Sequence, residues 1–295
     1  MSLVSVVIPS FNHGEYIQEC ILSIIGQTYE KIELLIIDDG STDDSVKKIK
    51  ELTNLCVDRF IRYELRVREN RGLCETLNEA FEWCNGEYIN LIASDDKLLP
   101  QKITSQFELI RSRDEKCVGV FGSAIKVDRN NTPIGIKLAK KSLVYFDDIV
   151  LHKHNLPACT QFIKRSSVVE MGLLPSNLEI EDWYMWLALT LNGCYLLSSD
   201  EVVSHYRIHG SNTSGQVEKM HSARIKVLLR FQNLLSRNKF CLAKASCFLA
   251  SSIEANDVKI KIYYLANGLY ISLSVVFLKK FYSALIRLLI KRESY

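Results

Sequence analysis

The chain alternates continuous apolar runs with stretches in which apolar residues recur every three or four positions. Leu3 to Pro9 has the character of a buried parallel strand. Tyr16, Ile17, Cys20, Ile21 and Ile24 follow at helical spacing, so a helix covers that strand. Ile32 to Ile37 is a second strand. Ser41 to Asp44 reads as a capping box that opens a helix over Ser45 to Leu52. Arg59 to Leu65 is a third strand. Cys74 to Cys84 is a helix stopped by Asn85-Gly86. Glu87 to Ile92 is a fourth strand, and Pro100 starts a helix that ends near Arg113. Strands alternating with helices predict an α/β fold: a Rossmann-like, mostly parallel sheet flanked by helices, with right-handed crossovers.

The second half is less periodic. Cys117 to Val127 predicts a strand, Asn130-Asn131-Thr132-Pro133 a turn, and Ile134 to Leu138 a returning hairpin strand. Phe162 to Lys164 is a short strand, Ile180 to Leu191 a helix, and Val202 to His209 a strand carrying several polar groups. From Glu218 onward the pattern is helical. Two regions result: residues 1–215, with halves at 1–113 and 114–215, and a helical appendage at 216–295.

Composition changes this picture little. With 295 residues, 47% of them hydrophobic, one large domain and an appendage can be built. A net charge of +3, with no basic block interleaved with aromatics, gives no sign of a nucleic-acid partner. Nine cysteines at irregular spacing, with no CxxC pair, fit reduced thiols better than a disulfide framework or zinc site. The first strand begins at residue 3, so a cytoplasmic protein without a signal peptide is expected. The Asn-x-Ser/Thr triplets at Asn130 and Asn212 then carry no meaning.

The candidate chemistry lies where strands end. Ile36-Ile37 runs into Asp38-Asp39-Gly40-Ser41-Thr42-Asp43, and Leu91-Ile92 runs toward Ser94-Asp95-Asp96. Caps for the following helices explain one acid at each place but not two. Open α/β sheets bind ligands at this edge. Asp38 and Asp39 can accept the N–H and O–H donors of a base or ribose. Asp95 and Asp96 can hold Mg²⁺ or Mn²⁺ through oxygen while leaving sites for substrate phosphates. There is no GxxxxGK[ST] loop and no GxGxxG, so a bound diphosphate needs a cation to neutralise it. Glu181-Asp182 opens a helix rich in aromatics (Trp183, Tyr184, Trp186), where an acid can take a proton from a hydroxyl and an indole can pack against a sugar face. Helix-dipole stabilisation is the plainer explanation of both acids. His205 and His209 fall on one face of a strand, with His209 the better candidate ligand and Arg207 on the opposite face.

In this order and spacing the pieces resemble a family 2 glycosyltransferase with the GT-A fold. They are Val4 to Asn12, Ser23 to Tyr29, Asp38 to Asp43, Asn70-Arg71-Gly72 with Asn78, Ser94 to Pro100, Glu181-Asp182-Trp183 and Tyr206-Arg207-Ile208-His209. The resemblance spans residues 3 to 215. It implies that Pro9, Phe11 and Asn12 with Asp38 and Asp39 hold the uracil and ribose of a UDP-sugar, with Asn70, Gly72 and Ser94 also on the donor side. It implies Asp95 as the metal-binding acid, Asp96 facing the donor sugar, Asp182 as catalytic base with Glu181 beside it, and His209 as a further metal or diphosphate ligand. The family often carries another Asp two positions before Asp95, where this chain has Ala93.

The expected activity is inverting transfer of a hexose or N-acetylhexosamine from UDP to a hydroxyl of a glycan acceptor. The acceptor would be linked to a polyprenyl diphosphate, as in O-antigen or capsule assembly. A nucleotidyltransferase and a non-catalytic sugar-nucleotide binding module are the rival readings; released pyrophosphate would mark the first, binding without turnover the second. Ile262 to Leu278 is 17 residues without a charge, flanked by Lys259, Lys261 and Lys279-Lys280, and Phe281 to Ile290 is a second apolar stretch closed by Lys291-Arg292. A span needs ~20 apolar residues. An amphipathic helix lying on the inner face of the cytoplasmic membrane is favoured over a packed helix or a span.

Overall fold

The computed structural model describes residues 1–176, 178–210 and 216–289. The N-terminal half follows the predicted alternation. It runs β1 (Val4–Ser10), α1 (Ile17–Ile25), β2 (Ile32–Asp38), α2 (Ser45–Glu51), α3 (Thr53–Arg59), β3 (Arg62–Val67), α4 (Leu73–Trp83) and β4 (Tyr88–Leu91). The chain continues through β5 (Lys97–Leu98), α5 (Lys102–Arg111), β6 (Cys117–Val127), β7 (Pro133–Lys137), β8 (Ser142–Tyr145) and α6 (Phe146–Val150). Then come β9 (Phe162–Lys164), α7 (Arg165–Met171), α8 (Glu181–Leu189) and β10 (Tyr195–Arg207). The C-terminal helices are α9 (Val217–Arg230), α10 (Arg237–Glu254), α11 (Val258–Ile271) and α12 (Lys279–Leu289).

One sheet holds all ten of these strands, in the order β3-β2-β1-β4-β9-β6-β10-β5, with β7 on β6 and β8 on β10. The pairs β1–β2, β1–β4, β2–β3 and β6–β10 are parallel. Short β9 is antiparallel to both β4 and β6, so β6 and β10 run in the same sense as β1 to β4. Six strands are therefore co-directional, and only short ones run against them. All six end on one edge. Beneath it, Val6, Ile8, Leu34, Ile36, Phe162 and the α1 residues Ile17, Ile21 and Ile24 form a common core. Burying each such side chain contributes about 1.5–3 kcal/mol.

Several expectations need correction. The third strand begins at Arg62, because Thr53–Arg59 is helical. Arg59 donates to the carbonyls of Ile25, Gln27, Tyr29 and Glu30, which ties down the loop before β2. Ser41 does not cap α2: its hydroxyl donates to Asp38 at 2.7 Å. The N-cap residue is Asp44, whose side chain makes no capping bond, while Asp43 accepts from the N–H and hydroxyl of Ser45. The late strand starts at Tyr195, not Val202, since a register shift between Ser198 and Val202 breaks its alternation.

The chain divides into two compact units: residues 1–145, 155–177 and 188–209, and residues 146–154, 178–187 and 210–295. Besides the C-terminal helices, α6 and most of α8 belong with the helical unit. In that unit Ala245, Leu249, Leu265, Val275, Leu278 and Ala284 form a second core. The 17-residue apolar run is interrupted: α11 ends at Ile271, Ser272 is extended, and Leu273–Phe277 is a 3-10 turn. Among the described residues no helix is long and apolar enough to cross a membrane. Ser211 and Asn212 of an expected turn, and Ile290 to Arg292, lie outside the described residues. All nine cysteines are free thiols, most of them buried.

Candidate active site

The loops that leave the co-directional edge are laced to one another. After β1, Asn12 takes a left-handed conformation (φ 52°). Its N–H donates to Ser41 Oγ at 2.8 Å and its Oδ1 accepts from Thr42 N at 2.8 Å. The N–H of His13 donates to Ser45 Oγ, and that of Gly14 to Asp43 Oδ2. The β1 and β2 loops thus form one platform.

Asp38 is fully buried and accepts from Ser10 Oγ, Ser41 N and Ser41 Oγ. Asp39 accepts the N–H groups of Arg71 and Gly72 at 2.8 and 2.9 Å and pairs with Arg68. These partners make the burial of two carboxylates affordable. Gly40 sits at φ 80°, and a Cβ there would lie 2.8 Å from Asn70 N. Glycine is required for that close approach. Phe11, Asn12 and Asn70 are exposed, while Pro9 and Gly72 are partly buried.

After β4, Ser94, Asp95 and Asp96 are all buried, and Ala93 is exposed. Asp96 Oδ1 accepts from Arg207 N at 2.9 Å, joining this turn to the end of β10. Burial, and then the charge of Asp95 beside it, hold the Asp96 carboxyl well above the usual carboxylate range. Asp95 meets His209 Nε2 through Oδ2 at 2.9 Å. Arg207 stands behind them. Its Nε donates to the carbonyl of Asp95 at 2.8 Å, its Nη2 to Glu19 at 2.9 Å, and its guanidinium lies over the Tyr16 ring. The expectation that Arg207 points away from His209 fails because alternate residues of a strand share a face, and Arg207 instead braces the backbone that carries Asp95.

One residue of this edge was not singled out from the sequence. His13 lies 4.0 Å from Asp95 Oδ1, its Nδ1 2.7 Å from Ser94 Oγ, and its ring 5.6 Å from that of His209. Burial is the chief cause of its lowered pKa, which favours the neutral imidazole. One ligand atom from each of His13, Asp95 and His209 lies within 4.8 Å of the others. Ligand bonds of ~2.0–2.2 Å put donor atoms on one ion ~3–4.4 Å apart. Small side-chain shifts bring the three onto a divalent cation, so the residues fit one.

Glu181 and Asp182 open α8 and belong to the helical unit. Asp182 Oδ1 accepts from the N–H of Trp183 at 2.6 Å. Burial first, and Asp182 second, push the Glu181 carboxyl up to about 8. The indoles are not an open sugar platform: Trp183 and Trp186 are buried, and Trp183 Nε1 donates to the carbonyl of Ile149. His152 stacks on Trp183 at 4.6 Å, and His154 lies edge-on to Trp186 at 5.7 Å. His205 pairs with Lys97 across β10 and β5 and has no part in the Asp95 cluster.

Residues 5–171 match the sequence profile of glycosyl transferase family 2. The chain belongs to that family. A Bacillus subtilis relative with the provisional name of teichuronic acid biosynthesis glycosyltransferase TuaG is 26% identical over 254 residues, covering 85% of this chain and 88% of its own. An Escherichia coli relative, the UDP-Glc:alpha-D-GlcNAc-diphosphoundecaprenol beta-1,3-glucosyltransferase WfaP, is 26% identical over 238 residues, 80% and 86% of the two chains. Among solved structures, Staphylococcus aureus TarS 1–349 in complex with UDP-GlcNAc superposes with a TM-score of 0.60 at 16% identity, over 92% of this chain and 90% of that one. Mannosyltransferase PcManGT from Pyrobaculum calidifontis, in complex with GDP-Man and Mn²⁺, gives 0.63 at 15% identity, over 99% and 88%. At these identities the two structures establish the fold. The enzyme is therefore a GT-A glycosyltransferase related to enzymes of bacterial surface polysaccharide synthesis.

Proposed function

We propose that this family 2 enzyme transfers a hexose or N-acetylhexosamine from a UDP-sugar, with inversion, to a hydroxyl of a lipid-linked glycan acceptor. The observation that carries the reading is the 2.9 Å contact of His209 with Asp95, made where the co-directional strands end. The loops of that edge supply the donor side: Phe11, Asn12 and Asn70 offer exposed groups for the nucleoside, over the frame set by Asp38 and Asp39. The UDP-sugar reading is supported by the UDP-glucose specificity in WfaP's name and by the UDP-GlcNAc complex of TarS. The diphosphoundecaprenol acceptor in WfaP's name supports the lipid-linked one.

Asp95 and His209 would hold a divalent cation, which neutralises the charge of the departing diphosphate. Asp182 takes the proton of the acceptor hydroxyl as its oxygen bonds to the anomeric carbon. The bond from that carbon to the diphosphate oxygen breaks, and UDP leaves. The sugar passes through an oxocarbenium-like state of the kind met in glycoside hydrolysis. The single displacement inverts the anomeric centre. A panel of UDP- and GDP-sugars offered with a polyprenyl-diphosphate-linked GlcNAc tests this. UDP release with a β-linked product from an α-linked donor is expected; GDP-sugars alone serving, or retention of configuration, would refute it. Asp182→Asn should lower acceptor-dependent UDP release by about 10²-fold or more.

The helical unit would also rest on the cytoplasmic face of the membrane. Tyr270, Leu273 and Phe277 are 91%, 77% and 86% exposed around the corner between α11 and α12, and Lys279 follows. From Val258 to Leu289 there is no acidic residue, and Lys259, Lys279 and Arg287 are exposed, whereas Lys261 is buried. Aromatic and aliphatic side chains beside exposed bases suit an anionic lipid surface.

A further inference from the structure

We infer that His13 is a third protein ligand to the cation held by Asp95 and His209, so that the cation loads before any nucleotide arrives and first-row transition ions are preferred over Mg²⁺. The inference rests on the proposed reading of Asp95 and His209 as ligands and adds a residue from another loop. The three side chains come from segments far apart in the chain: the turn after β1, the turn after β4 and the end of β10. Their ligand atoms nevertheless converge within 4.8 Å.

The site is built for this convergence. The Asp95 and His209 side chains are only 8% and 6% exposed. His13 Nδ1, 4.0 Å from Asp95 Oδ1, also lies 2.7 Å from Ser94 Oγ, so the ring is held beside Asp95, and ligation through that nitrogen exchanges the serine hydrogen bond for a metal bond. The His13 backbone is fixed as well, since His13 N donates to Ser45 and His13 O accepts from Tyr16 N and Ile17 N. Arg207 and Asp96 lock the turn that carries Asp95.

Two consequences follow from the donor set. A cation held by one carboxylate alone is bound weakly until nucleotide phosphates complete its shell, whereas three protein donors hold it without them. Two imidazole nitrogens to one carboxylate are also a poor match for Mg²⁺, which prefers oxygen and near-ideal octahedral geometry. Mn²⁺ and Co²⁺ accept the mixed set.

The test is a titration of the full nucleotide-free chain with Mn²⁺, read by the electron paramagnetic resonance of the free ion, and repeated with UDP. The parent should bind one Mn²⁺ without UDP, and about a hundredfold excess of Mg²⁺ should not displace it. His13→Ala should bind Mn²⁺ at least roughly 10-fold more weakly without UDP and recover much of the loss with UDP present. Mn²⁺ binding by the parent only when UDP is present would overturn the inference and leave the Asp95–His209 cation intact. Equal binding by parent and His13→Ala would do the same. No Mn²⁺ binding even with UDP would sink both. Thermal unfolding in EDTA checks that His13→Ala folds; if it does not, the parent's nucleotide-free binding and its Mg²⁺ competition decide alone.

Discussion

Asp95 is the residue on which the site turns, and its surroundings explain its neighbours. Arg207 holds its carbonyl, His209 meets its carboxylate, and Ser94 positions the second imidazole. Replacing His209 with Ala should therefore lower kcat/KM by about 10²-fold with little change in unfolding temperature, measured as UDP release. Glu181 gives a different prediction. Its carboxyl titrates near 8 in the folded chain, against ~4.3 when unfolded. Between those values the folded state keeps a proton that the unfolded state has released, so stability falls as pH rises through that window. Glu181→Gln should remove that fall: its melting temperature should exceed the parent's increasingly from pH 5 to pH 8, and parallel curves would contradict the assignment. The paired acids were legible because two carboxylates at a strand end need a reason. Their division of labour was not: that Asp38 and Asp39 anchor loops depends on Ser10, Ser41 and Arg68, which only the fold brings close. His13 was missed because a single histidine in a loop has no sequence signal. Only the adjacency of β1 and β4 brings it to Asp95.

At the scale of elements, the apolar runs located β1, β2, β4 and β6 to within two residues, because strands buried on both faces need little but apolar side chains. The later elements were harder to read. The start of β10 is hidden by the polar stretch Ser198 to Glu201, and β8 and α7 are too short and mixed in character to show a period. The start of α2 is a case of local chemistry choosing among neighbouring polar residues. Asp43 accepts from the first N–H of the helix while Ser41 serves Asp38, so Asp43→Ala should cost about 1 kcal/mol in urea unfolding, and Ser41→Ala should impair donor affinity more than helix stability. The α11–α12 corner makes a further prediction. Leu273→Ser with Phe277→Ser should abolish sedimentation with phosphatidylglycerol vesicles while leaving UDP release to a soluble acceptor within about twofold. Unchanged sedimentation would remove the membrane role from this corner.

The whole molecule follows from one topological fact: strands from both halves of the sheet point the same way, so their ends assemble loops as far apart in the chain as those of His13 and His209. The fold class could be expected from alternation alone, but the entry of β10 beside β6, which delivers His209, could not. The co-directional edge is also why family membership and site geometry point to one activity. The most direct test of that account is metal-dependent UDP release by the parent and by Asp95→Asn, after EDTA treatment and re-addition of Mn²⁺. Activity should vanish with EDTA and return with Mn²⁺ in the parent only, with Asp95→Asn at least about 10²-fold slower throughout. Turnover by Asp95→Asn at the parent's rate, or full parent activity in EDTA, would contradict it.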